Sequence, residues 1–133
     1  MKVFLDTNVL VSAFATRGLS ADLFEMVLLE HELVIGRRVL KELDKVLRMK
    51  IKLPAGRCAE IAEFLRAEAA RVVEDAPPAE SGAEEGDRGI LGEALAGEAQ
   101  AFVTGDAALV ALGEVSGMPI LTPRRFWELL RSG

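Results

Sequence analysis

Four carboxylates stand where the sequence makes chemistry possible. Asp6 and Asp106 each follow a short apolar run, Lys2-Val3-Phe4-Leu5 and Ala101-Phe102-Val103, at the mouth of a helical pattern. Asp87 opens a helical pattern after an acidic loop, and Glu42 lies inside a basic one. Taken singly, each aspartate reads as a helix N-cap, a role Asp favours and one that leaves it free to face a site as well. On a helix drawn at 100° per residue, the apolar stripe around Glu42 centres between Leu43 and Leu47. Arg37, Arg38, Lys41, Lys45, Arg48 and Lys52 fall on the opposite face, with Glu42 on the border. From there Glu42 points along a sheet edge or pairs with Lys45 and its neighbours.

Convergence of Asp6, Glu42, Asp87 and Asp106 would fix the chemistry. Two carboxylates about 5 Å apart repel by roughly 3 kcal/mol at an effective dielectric near 20. Several such pairs approach the total stability of a domain, so the cluster must take up protons or a cation. All-oxygen donors without a neighbouring His or Cys favour Mg²⁺ or Mn²⁺ over zinc. A divalent ion so held activates water and stabilises a phosphoryl centre, which is the chemistry of metal nucleases.

The elements that must position these groups alternate between strand and helix. Short apolar strands are expected at Lys2–Leu5, Leu33–Ile35, Val72–Val73, Ala101–Val103 and Pro119–Leu121. Helices are expected after Asp6, from an N-cap at Ser20, over Arg37 to about Lys50, from Pro54, from near Asp87, after Asp106, and from Pro123 with Phe126, Trp127 and Leu130. Glu74 to Gly86, with two prolines and five acids, is expected to be a solvated, mobile loop, or alternatively a gate. Such alternation predicts an α/β domain with a central parallel sheet, in which ligands bind beyond the carboxyl ends of the strands.

Composition bounds the function. The 133 residues are half apolar and 28% charged, which fits one globular domain over 1–133. One cysteine (Cys58, on an inner helical stripe) cannot make an intrachain disulfide, and one histidine (His31, near a helix end) cannot build a zinc site without other ligands. The longest charge-free run, Thr7 to Thr16, is ten residues, and Lys2 is followed by only three apolar residues before Asp6. The expectation is therefore a soluble, cytoplasmic protein without a membrane span. The glycines between Gly82 and Gly97 match no phosphate-binding loop. The net charge of −5 argues against a nucleic-acid partner, but Gly36 to Lys52 holds seven basic residues against two acidic ones. That stripe reads either as a solvated helix face or as a track for RNA phosphates beside the acidic mouth, with Arg17, Arg124 and Arg125 as weaker additions.

Val3-Phe4-Leu5-Asp6-Thr7-Asn8-Val9-Leu10, Glu42, Asp87 leading into Ile90-Leu91-x-x-Ala94, and Val103-Thr104-Gly105-Asp106 together resemble the PIN-domain family, in particular its short prokaryotic VapC-like ribonucleases. The likeness runs from Lys2 to Leu130. It implies a three-layer α/β/α fold and a metal-dependent endoribonuclease cutting single-stranded RNA, the toxin of a toxin–antitoxin pair. It also implies that Asp6, Glu42, Asp87 and Asp106 bind Mg²⁺ or Mn²⁺, with Asn8 and Thr104 orienting them. The basic residues Arg37, Arg38, Lys41, Lys45 and Arg48 would then meet RNA. An antitoxin protein and a second copy, paired through the C-terminal helix, are the other expected partners. The chain departs from the family where a further aspartate is common, at Ala108, and before Asp87, where Glu84 and Glu85 stand. A non-catalytic interaction module is the competing reading, supported by Ala108. A phosphatase or receiver domain fits worse, because Asp6-Thr7-Asn8 lacks a second aspartate.

Overall fold

The computed structural model describes residues 1–132. The first strand, β1 (Lys2–Leu5), carries three successive apolar residues, and Val3, Phe4 and Leu5 are each fully buried. Neighbouring side chains on a strand point to opposite faces, so both faces of this strand are covered. The chain continues through α1 (Thr7–Ala15), α2 (Leu19–Glu30), β2 (Glu32–Gly36), α3 (Arg37–Met49), α4 (Ala55–Glu68) and β3 (Arg71–Val73). It then forms α5 (Glu85–Ala96), β4 (Ala101–Val103), α6 (Ala107–Val110), β5 (Glu114–Val115), β6 (Met118–Leu121) and α7 (Pro123–Ser132).

The six strands lie in the order β3-β2-β1-β4-β6-β5, with every pairing parallel except β5 with β6. Helices flank this mostly parallel sheet, as the alternating pattern predicts. The chain builds outward from β1 through β2 to β3, then returns to place β4 on the other side of β1. That reversal leaves a crevice at the carboxyl ends of β1 and β4, the customary ligand position in such sheets. Phe4 and Phe102 are register partners on these two strands, and their rings stack with centroids 5.2 Å apart.

Several elements differ from the sequence reading. Ser20 is not an N-cap: α2 starts two residues earlier than such a cap would place it, behind Gly18, whose φ of 152° suits glycine. The helix expected from Asp87 begins at Glu85, so Asp87 sits in its first turn rather than at its cap. β5 was not expected; it is two residues long, too short for a periodic signal, and is joined to β6 by a turn in which Ser116 and Gly117 have positive φ. The acidic loop is fastened at its middle: the Ala79 N–H donates to the Arg88 carbonyl at 2.8 Å, the Arg88 Nε donates to the Ala79 carbonyl at 2.8 Å, and Ala79 is buried. Cys58 and Phe126 are core residues, and Trp127 is partly buried. No helix among the described residues is long and apolar enough to cross a membrane.

Candidate functional site

Parallel register brings the first pair of site residues together. Leu5 lies opposite Val103, so Asp6 and Thr104, the next residue on each strand, emerge side by side where the two strands end. The Asp6 N–H donates to the Val103 carbonyl at 2.9 Å, which locks that alignment. The Thr104 hydroxyl then donates to Asp6 Oδ2 at 2.8 Å while accepting from the Asp106 N–H at 3.0 Å and from Asn8 Nδ2 at 3.3 Å. One proton and two lone pairs are all in use, so this buried hydroxyl ties Asp6 to the turn carrying Asp106. Asn8 completes the link, donating from Nδ2 to Asp6 Oδ2 at 3.4 Å and accepting the Gly105 N–H on Oδ1 at 2.9 Å.

Both strand-end aspartates are caps as well as site residues. Asp6 Oδ1 accepts the Thr7 N–H at 2.8 Å at the start of α1. Asp106 Oδ1 accepts the N–H groups of Ala108, at 2.9 Å, and Leu109, at 3.4 Å. Ala108 thus contributes only its backbone. Glu42 makes no ion pair with Lys45 among the described residues. Its Oε1 instead accepts the Thr7 hydroxyl proton at 2.8 Å, which turns it from its helix border toward the strand ends.

Asp6, Asn8, Glu42, Asp87 and Asp106 line one cleft of about 540 Å³, with Val11, Val46, Ile51 and Ile90 forming an apolar wall. Its electrostatics follow from this crowding. Burial pushes the Asp6 carboxyl above its ordinary range; the Thr104 and Thr7 hydrogen bonds pull it back in part, and the charges of Glu42 and Asp87 push it up further. Asp87 is raised too, by partial burial first and then by Asp106, Glu84 and Glu42. Among the described residues no donor reaches Glu42 Oε2, Asp106 Oδ2 or either oxygen of Asp87. These oxygens are open to a ligand.

The donor chemistry suits a hard divalent cation. The spacing is open, however: among the described residues no three His, Cys, Asp or Glu side chains come close enough to hold one ion together. Mg²⁺ commonly keeps several waters and takes only one or two carboxylates directly, so this donor set fits it with water and substrate oxygens completing the shell.

The basic stripe divides. Lys45 borders an adjoining groove shared with Glu42, Val46 and Lys50. Arg37 and Lys41 are exposed outside both hollows, Arg48 pairs with Asp44 at 3.1 Å one helical turn away, and Arg38 pairs with Glu93 at 3.9 Å. Arg17, Arg124 and Arg125 do not line the cleft. Lys50 does, as its one basic residue. Sequence reasoning counted Lys50 in the basic stretch but did not set it on the basic face, because on the ideal wheel it falls within the apolar stripe; in the fold Lys50 is the C-cap at the end of α3. Glu93 also escaped notice, because an acid within an apolar helical stripe has no motif around it.

A family model for the PIN domain matches residues 2–108. The chain is also similar to a solved structure described as VapBC2 from Rickettsia felis bound to a DNA fragment from their promoter, at 18% identity and a TM-score of 0.64. That match covers 92% of this chain and 98% of the other, and at this identity it speaks to the fold alone. A search of curated proteins finds no match.

Proposed function

The chain belongs to the PIN-domain family, whose members are generally nucleases, and from that premise we propose that it is a Mg²⁺- or Mn²⁺-dependent endoribonuclease acting on single-stranded RNA. The observation that carries this reading is the gathering of Asp6, Glu42, Asp87 and Asp106, far apart in sequence, around one cleft at the strand ends. Asp6 and Asp106 would hold the cation, and Glu42 and Asp87 would complete its surroundings. A divalent ion there supplies charge neutralisation and Lewis-acid polarisation of the phosphodiester.

The protein's own groups account for the rest. Thr104 and Asn8 fix the Asp6 carboxylate, so its orientation needs no adjustment when substrate arrives. Asp87, with its raised pKa and two unengaged oxygens, is the group suited to accept a proton from an attacking water. Lys50 and Lys45 supply positive charge beside an otherwise repulsive mouth, and Val11, Val46, Ile51 and Ile90 give the cleft an aliphatic wall. The likeness to VapBC2 supports a toxin's role with an antitoxin as partner, and pairing with a second copy through α7 belongs to the same proposal.

The test is cleavage of a mixed single-stranded RNA pool in Mn²⁺, with EDTA and Asp6→Asn as controls. Cleavage that requires both the metal and Asp6 is the expected result, and full activity of Asp6→Asn would remove the mechanism. The open spacing of the carboxylates favours a second reading, an interaction module that no longer turns over. Titration calorimetry separates the two, because that module would bind Mn²⁺ weakly or not at all.

A further inference from the structure

Besides Asp6, the only charged residue buried among the described residues is Glu93, which is 2% exposed and lies outside the cleft. A carboxylate in such a place needs compensating partners. Glu93 Oε1 accepts the backbone N–H of Arg38 at 3.1 Å, and Oε2 stands 3.9 Å from Arg38 Nε. The Arg38 N–H belongs to the first turn of α3, a helix whose N-cap, Gly36, offers no side chain. Glu93 therefore caps α3 from another helix, with its charge at the favourable end of the dipole.

The surrounding glycines are shaped to this contact. A Cβ on Gly36 would run into the Glu93 carboxylate, coming within 2.9 Å of its Cδ. Gly89, one turn before Glu93 on α5, lies beneath the Arg38 side chain, where a Cβ would come within 2.6 Å of Nε. Two glycines and two opposite charges thus interlock α3 and α5. Each helix carries one cleft carboxylate: Glu42 is about 6 Å of helix rise beyond Arg38, and Asp87 is about 9 Å before Glu93.

We propose that Glu93 is a positioning residue, whose docking on the N-terminus of α3 sets the placement of Glu42 relative to Asp87 across the cleft. Its consequence for metal binding rests on the nuclease reading; the geometric claim does not. Glu93→Gln keeps the shape and the acceptor oxygen. Glu93→Leu removes the cap, and Glu93→Asp withdraws it by one methylene while keeping the charge, which serves if the leucine variant fails to fold.

Carboxyl ¹³C shifts of Glu42 and Asp87 in the metal-free protein, together with Mn²⁺ titration calorimetry, distinguish the outcomes. Glu93→Leu or Glu93→Asp should displace both signals and weaken Mn²⁺ binding by about 10–100-fold, whereas Glu93→Gln should stay within about two-fold of the parent. A folded Glu93→Leu or Glu93→Asp protein with unmoved Glu42 and Asp87 signals overturns the proposal. So does a Glu93→Gln protein displaced as far as Glu93→Leu. A parent protein that binds no Mn²⁺ sinks the nuclease reading instead, and the metal-free shifts then decide the interlock alone.

Discussion

Thr104 is the residue on which the site's order depends. Its hydroxyl is saturated by Asp6, Asn8 and the Asp106 N–H, so an isosteric Thr104→Val leaves a half-buried N–H without its partner and removes the short bond to the buried Asp6 carboxylate. The expected cost is about 1–3 kcal/mol in a urea melt, since the orphaned groups lose their partner without gaining water. Mn²⁺ affinity should fall about 10–100-fold by calorimetry, as for other groups that orient a ligand, and Thr104→Ser should restore both. An unchanged Mn²⁺ affinity in Thr104→Val would show that the Thr7 N–H and Asn8 suffice to position Asp6. The importance of Thr104 was legible in the sequence through its place beside Gly105 and Asp106. Its threefold hydrogen bonding was not, because it requires Asp6 and Asn8, roughly a hundred residues away in the chain.

At the scale of elements, α3 combines three tasks. Val39, Leu40, Leu43 and Leu47 hold it to the core, Glu42 faces the cleft, and its last turn delivers Lys50 to the cleft's lining. If single-stranded RNA follows this helix, Lys50 contacts a phosphate and the paired Arg48 does not. Each phosphate contact on a single strand contributes about 0.7 to the slope of log affinity against log salt. Fluorescence anisotropy with a short RNA should therefore show that slope reduced by about 0.7 in Lys50→Ala and unaltered in Arg48→Ala. Equal effects from both would return the basic stripe to a general electrostatic role. The amphipathic period identified α3 and its border glutamate, and the pairing of Arg48 with Asp44 is local to that helix, but the partner of Arg38, Glu93, is one that only the fold brings near.

Across the whole molecule the buried and crowded acids make stability depend on pH and on cations. Asp6, Asp87 and Glu93 are all raised above their ordinary values of 3.8, 3.8 and 4.5, in each case with burial as the largest cause. For a carboxyl whose pKa is higher in the folded state, the folded state holds its proton more tightly. Its stabilising contribution is complete below the unfolded pKa and disappears as pH rises through the folded one. In EDTA the protein should thus lose melting temperature as pH rises from about 4 toward neutrality. Mn²⁺ should reverse that loss most strongly at neutral pH, by ~2.7 kcal/mol at a hundred-fold excess over Kd. Scanning fluorimetry with and without the metal checks both, and a Mn²⁺ effect larger at pH 5 than at pH 7.5 would contradict the linkage to these carboxylates.

The sequence by itself determined the alternation of buried strands and amphipathic helices, and with it the parallel sheet, because hydrophobic periodicity and capping chemistry are local properties. It also marked Asp6, Glu42, Asp87 and Asp106, since each stands at a strand end, a helix start or a helix border that neighbouring residues define. Tertiary structure alone decided that β4 lies beside β1 in a register setting Asp6 against Thr104, that Glu42 turns to Thr7 rather than Lys45, and that Glu93 caps a helix not its own. Each of these is a contact between residues from 35 to 98 positions apart. Such contacts depend on how whole elements pack, and no local pattern encodes them.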